Sequence, residues 1–114
     1  MANPNIAAAT TIKGQSTNGN ITTSPTVVLT NSGSSGKVFK INTMVITNID
    51  GTNAANFTAS VSVNGGTAYN LFSTVDVAAD TATVAIDKNS TFYLLESGTI
   101  SLVASGNSDL TYMI

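Results

Sequence analysis

The chain contains no histidine, no cysteine and no tryptophan, and its four basic residues, Lys13, Lys37, Lys40 and Lys88, are all lysine. Those absences remove imidazole bases, thiolate nucleophiles, guanidinium clamps and imidazole or thiolate metal ligands. Charge is scarce too: charged residues are 9% of the sequence, with a net charge of −2 and a pI near 4.5. Scattered lysines make no basic stripe, so nucleic acid is not an expected partner. No disulfide framework is available. No run approaches the ~20 apolar residues of a membrane span, and Ile6 to Ala9 is too short for a secretory signal core. The residues therefore point away from an enzyme, a membrane protein, and a protein with a metal or cofactor.

What is present is Thr, Ser, Asn, Val, Ile and Ala in alternating runs broken by Gly and Asn. The 42% hydrophobic content argues against disorder. At 114 residues the chain is one domain. Such a domain buries roughly two-thirds of its extended-chain surface, enough for one core.

Residues 1–8 read as an extended N-terminal arm, because Pro4 biases Asn3 away from helix and apolar residues do not recur at strand or helix spacing. A first strand is expected near residues 9–13, and residues 9–114 form the β-domain. Gly14 to Asn20 reads as a polar loop. Ile21 to Thr30 is a β-branched run in which Pro25 implies an edge or a bulge. Asn31 to Gly36 is a turn. Lys37 to Asn48 reads as one long central strand, followed by an Asp50-Gly51 hairpin turn of type I′. Phe57, Ala59, Val61 and Val63 alternate with Thr58, Ser60 and Ser62, giving one core face and one hydroxylated face. Asn64 to Gly66 turns the chain into a strand over Thr67–Phe72, continued at Val75 and Val77. Further strands are expected over Thr81–Asp87, Thr91–Glu96, Thr99–Ser105 and Leu110–Ile114. About eight strands and no helix make an all-β fold, a single antiparallel β-sandwich, Ig-like or jelly-roll-like. Its expected core draws on Phe39, Ile41, Phe57, Val61, Leu94, Ile100 and Leu102.

Several local patterns resemble sites and fail on chemistry. Ser32 to Val38 has glycines too close together for a phosphate loop and Val38 where a magnesium-binding hydroxyl belongs. Asn48 to Asn53 has oxygen ligands but one carboxylate and no closing Glu, unlike a calcium loop. Asp76, Asp80, Asp87, Glu96 and Asp109 lie at strand ends and turns, where acids are ordinary, with no helper residues for acid–base work. The sequons at Asn20, Asn56 and Asn89 are chance matches in a chain rich in Asn, Ser and Thr. The row Thr58-Ser60-Ser62 is either plain solvated sheet or a flat docking surface that hydrogen-bonds without charge.

Met1-Ala2-Asn3-Pro4-Asn5-Ile6, Ser35-Gly36-Lys37-Val38-Phe39-Lys40-Ile41-Asn42 and Asn48-Ile49-Asp50-Gly51-Thr52-Asn53-Ala54-Ala55 resemble segments of small virion structural proteins of tailed bacteriophages, notably those of marine cyanobacteria. Val84 to Glu96, Val103-Ala104-Ser105 and Asp109-Leu110 are similar as well. The chain departs from that pattern at the Glu96-Ser97-Gly98 turn and in having no acidic tail after Ile114. The resemblance implies a non-enzymatic virion component made in the host cytoplasm, above all a head decoration or cement protein. Its implied partners are other virion proteins, chiefly the major capsid protein, and further copies of itself, with a trimer favoured. Expected contacts are Asn3, Pro4 and Ile6 on the arm and Thr58, Ser60 and Ser62 on the sheet. A tail, fibre or baseplate component and a free carbohydrate-binding β-domain are the alternatives, the latter handicapped by an aromatic content of 6%.

Overall fold

A computed structural model describes residues 14–106 and 109–114. The expected arm, with Asn3, Pro4 and Ile6, and the strand expected near residues 9–13 lie outside the described residues. The described chain is all-β, with ten strands in three sheets. They are β1 (Asn18–Ile21), β2 (Thr26–Thr30), β3 (Phe39–Ile41), β4 (Met44–Asn48), β5 (Ala55–Ser62), β6 (Tyr69–Val77), β7 (Ala82–Ile86), β8 (Phe92–Leu94), β9 (Thr99–Ala104) and β10 (Leu110–Met113).

The pairings are nested. β1 pairs with β10, β2 with β9, β3 with β8, β4 with β7 and β5 with β6, all antiparallel. The chain is thus one long hairpin doubled back at residues 63–68. Two further pairings, β10 with β4 and β5 with β9, fold that hairpin onto itself. One four-stranded sheet, sheet A, results in the order β1-β10-β4-β7, and a second, sheet B, in the order β2-β9-β5-β6. The short β3–β8 ribbon links them at one end, called here the near pole, which also holds the 63–68 tip. Loops 22–25, 49–54, 78–81 and 105–109 make the far pole.

Inward side chains of all three sheets form one core: Ile21, Met44, Ile46, Ile86 and Leu110 from sheet A, Phe57, Ala59, Val61, Val77, Ile100, Leu102 and Ala104 from sheet B, and Ile41 and Leu94 from the ribbon. This is sandwich-like packing. Six of the seven expected core residues are buried, and Phe39 is half-buried against the cluster. Each large aliphatic or aromatic side chain so buried contributes about 1.5–3 kcal/mol.

Four expectations need correction. Asn18 to Asn20 is strand, not loop, because pairing with β10 satisfies its backbone. The run from Ile21 to Thr30 breaks at residues 22–25, where Pro25 helps carry the chain from sheet A to sheet B. Lys37 to Asn48 is not one strand: it divides at Asn42-Thr43 into β3 and β4, which lie in different sheets. Asp50-Gly51 is no hairpin turn either, since β4 and β5 also belong to different sheets and neither residue has the positive φ of a type I′ turn.

Two buried asparagines hold the places where the chain changes sheet. Asn31, after β2, donates through Nδ2 to the carbonyls of Lys37 (2.9 Å) and Leu94 (3.1 Å), and its Oδ1 accepts from Ser35 Oγ. Asn48, ending β4, donates through Nδ2 to the carbonyls of Asn53 (3.0 Å) and Val77 (2.9 Å), and its Oδ1 accepts from the Asp50 amide. Both amide hydrogens of each side chain are used, as burial requires. Gly98 is fixed by space: a Cβ there would meet the Val63 carbonyl and the Leu94 side chain at under 3 Å.

Asn48→Ala strands the Val77 carbonyl in the interior and should lower unfolding free energy by about 2–3 kcal/mol. Asn31→Ala should cost a similar amount. Urea unfolding followed by tyrosine fluorescence measures both, and a loss under about 0.5 kcal/mol, the range of ordinary surface changes, would contradict the role assigned to these amides.

Candidate interaction surfaces

None of the four strands of sheet A contains a charged residue, and Lys40 and Asp76 are the only ones in any strand among the described residues. The rest lie in loops and separate by pole. Asp50, Asp80 and Asp109 sit at the far pole, with Asp76 at the far end of β6; Lys37, Lys40 and Lys88 sit at the near pole with Asp87 and Glu96.

The outer face of sheet A is built from two complete cross-strand rows. Asn18, Met113, Val45 and Val84 are in register across β1, β10, β4 and β7, and so are Asn20, Thr111, Thr47 and Ala82. Alternation puts those of β1, β10 and β4 opposite the buried Ile21, Leu110 and Ile46, and on β7 the register shift at Ala85 sets Ala82 and Val84 opposite the buried Ile86. Val84 is 60% exposed and Met113 44%. On the inner face Tyr112 pairs with Gly19, and a Cβ on Gly19 would lie 3.2–3.4 Å from its ring, so the aromatic covers the glycine of an edge strand.

The sheet edges are guarded by geometry. β2 carries one extra residue, Val28, opposite β9. β7 carries Ala85 opposite β4, and β6 carries two extra residues opposite β5, one at Ser73-Thr74 and one at Leu71. Every bulge in the described sheets therefore falls on an edge strand. Bulges bend an edge away from flat pairing, the service that lysines perform in more charged proteins.

This explains the hydroxyl row. Thr58 Oγ1 accepts the amide of Thr74, whose φ of 47° marks the first β6 bulge. Ser60 Oγ lies 2.8 Å from Asn70 Oδ1, beside the second bulge, and donates to it. Ser62 is buried and donates to the Gly66 carbonyl. The first two hydroxyls brace β6 and the third braces the tip of the same hairpin, while Thr58 and Ser60 remain half-buried.

Near the tip of that hairpin the core is open on one side. Tyr69 is in register with buried Val61, so it lies on the core face of sheet B, yet it is 73% exposed. Together with Val63, Leu71, Asn70 and Phe92 they line an apolar groove of about 290 Å³ at the near pole. Each of these residues reads singly as ordinary strand sequence; only the register of β5, β6 and β8 brings them together.

At the far pole, Asp50 turns the chain through its carboxylate. Its Oδ1 accepts the amides of Thr52 (2.8 Å) and Asn53 (3.3 Å), which hold its pKa below the usual aspartate range. A carboxyl group lowered in the folded state stabilises it above the unfolded pKa and loses that effect as pH falls through the folded value. The Thr52 and Asn53 amides should therefore lose protection from hydrogen exchange only under acid conditions, and Asp50→Asn should show reduced protection already at neutral pH. Equal protection in both proteins across the acid range would contradict this account.

No known protein family, curated protein or solved structure matches this chain.

Proposed function

We propose that the protein is a non-enzymatic structural component of a phage particle, acting as a head decoration or cement protein that docks on the major capsid protein. The observation that carries this reading is the outer face of sheet A: eight residues in two cross-strand rows, with no charge among them. A partner laid on this face meets no charge to desolvate, and Asn18, Asn20, Thr47 and Thr111 offer neutral hydrogen bonding.

The strand order supports the same reading. We read the nested pairs, arranged as β1-β10-β4-β7 and β2-β9-β5-β6, as jelly-roll-like, with β3 and β8 as an added ribbon at one end. Jelly rolls serve in viral capsids and also in lectins, so the order alone is fold-level support. The resemblance of the 35–42 and 48–55 segments to phage virion proteins favours the capsid side.

Area sets how the docking works. Four strands about 4.8 Å apart, of 4 or 5 residues each, give a face of roughly 200–300 Å². That is well below the ~800 Å² per partner of a stable pairwise complex. One contact is therefore weak, and firm attachment comes from several copies acting together on a repeating lattice. A trimer at local three-fold positions suits this arithmetic and rests on analogy.

The carbohydrate-binding alternative keeps one foothold, the exposed ring of Tyr69 beside Asn70. Sugar recognition needs free polar groups around the ring, and Asn70 Oδ1 already accepts from Ser60.

Val45→Lys and Val84→Lys place a cation in the middle and at the edge of the uncharged face. Folding stability should change by less than about 0.5 kcal/mol, as for other surface positions. Binding to undecorated heads should fall at least ~10-fold for each. Heads that bind both variants as they bind the parent protein would exclude this face as the docking surface, and imaging labelled protein on the tail would move the reading to a tail component.

A further inference from the structure

The near-pole groove needs an occupant. Val61, Val63, Leu71, Phe92 and the ring of Tyr69 surround it with hydrocarbon, and Asn70 and the Tyr69 hydroxyl are the polar groups among its lining side chains. At about 290 Å³ it lies just under the ~300–1,000 Å³ of small-molecule sites, and it has no convergent polar groups to orient a metabolite. It fits an apolar side chain carried on a peptide segment.

The sequence before β1 provides such a segment. β1 begins at the near pole, the same end as the groove, because Asn18 pairs with Met113 while Tyr69 and Ser62 end their strands beside Thr99 and β8. Residues 1–17 thus enter the fold at the groove's own pole. They include Ile6 followed by Ala7, Ala8 and Ala9, an apolar stretch with no charge nearer than Lys13. The twelve residues from Ile6 to Asn18 reach about 40 Å when extended, more than twice the ~15 Å between the outer strands of a four-stranded sheet.

The direction of exit selects the recipient. Thr17 and Ile114 exchange both backbone hydrogen bonds, each 2.9 Å, so the chain continues the line of β1 past the end of sheet A. Gly14, Gln15 and Ser16, which precede it, are exposed. Seating Ile6 in its own groove would need the chain to reverse after leaving β1, whereas seating it in a second copy would not.

We propose that the Ile6–Ala9 stretch of one copy seats in the Val61–Val63–Tyr69–Leu71–Phe92 groove of a second copy. Donor and acceptor lie at the same pole, so exchange is reciprocal and closes as a small ring or pair rather than an open filament. The alanines let the backbone approach the groove wall, and Ile6 fills the space over Val61 and Phe92. The inference needs only a second copy and does not depend on the virion reading.

The absence of cysteine makes the test clean, since introduced thiols are the only ones. Full-length Ile6→Cys and Tyr69→Cys proteins, one carrying a size tag, are mixed and oxidised mildly, with no phage particle present. Ile49→Cys, 57% exposed at the far pole, replaces Tyr69→Cys in the control. The expected result is an Ile6–Tyr69 crosslinked pair, falling on dilution and at least about tenfold more abundant than the Ile6–Ile49 pair, because docking raises the local concentration. Val63→Cys, also exposed in the groove, is a second acceptor in case Tyr69→Cys perturbs the fold. Equal yields at the two poles, or no crosslink at either groove position, would overturn the proposal. So would a link that forms only within a chain carrying both substitutions and is unaffected by dilution. Failure here leaves head binding through sheet A standing, and failure there leaves this exchange standing.

Discussion

The nested pairing of early strands with late ones is the constraint on which everything else in this molecule depends. Because β1 meets β10 and β4 meets β7, both four-stranded sheets are assembled from opposite halves of the chain. The chain must then leave one sheet and enter another repeatedly, and a crossing that is buried leaves carbonyls outside the ladders. Asn31 and Asn48 stand at two of these crossings and spend their whole amide capacity there. A hydrophobic residue at either place would pack but would leave carbonyls unpaired. The core is apolar and the joints are amide, and neither replaces the other.

Scarcity of charge shapes the surface in the same way. A protein with few lysines cannot use them to discourage edge-to-edge pairing, and the bulges on β2, β6 and β7 take over that task. A bulge leaves backbone groups out of the ladder, and on β6 the Thr58 hydroxyl takes up the Thr74 amide while the Ser60 hydroxyl ties the Asn70 side chain beside the second bulge. The serine and threonine content thus has a structural use before any docking use. The uncharged face of sheet A is the other side of this economy, since among the described residues the charges outside β3 and β6 lie in loops at the poles.

The sequence carried the β5 strand clearly, because Phe57, Ala59 and Val61 alternate with Thr58 and Ser60 without interruption. β9 was equally legible, and so was the membership of the core. The break at Asn42-Thr43 was not, since neither glycine nor proline marks it and β-branched residues continue on both sides. Asp50-Gly51 misled for the opposite reason: a favourable local turn signal was overridden by the pairing of β5 with β9 in another sheet. Bulges are mismatches between two distant segments, so no single segment records them. The face of sheet A was hidden likewise, because its rows draw one residue from each of four strands spread over 96 positions from Asn18 to Met113.

The position of β10 between β1 and β4 also bears on how the molecule is made. Strands emerge from the ribosome in chain order, and the hairpin of β5 and β6 can form as soon as its tip is free. Sheet A cannot close until β10 follows, because the strand that joins its two halves is the last of the ten to be synthesised. Until then Ile21, Met44 and Ile46 lack their neighbour Leu110, and a nascent chain exposes apolar surface and two unpaired strand edges. Slowing translation just before β10 is made would lengthen that interval, and crowding nascent chains on one message would turn it into an opportunity for strands of different copies to pair.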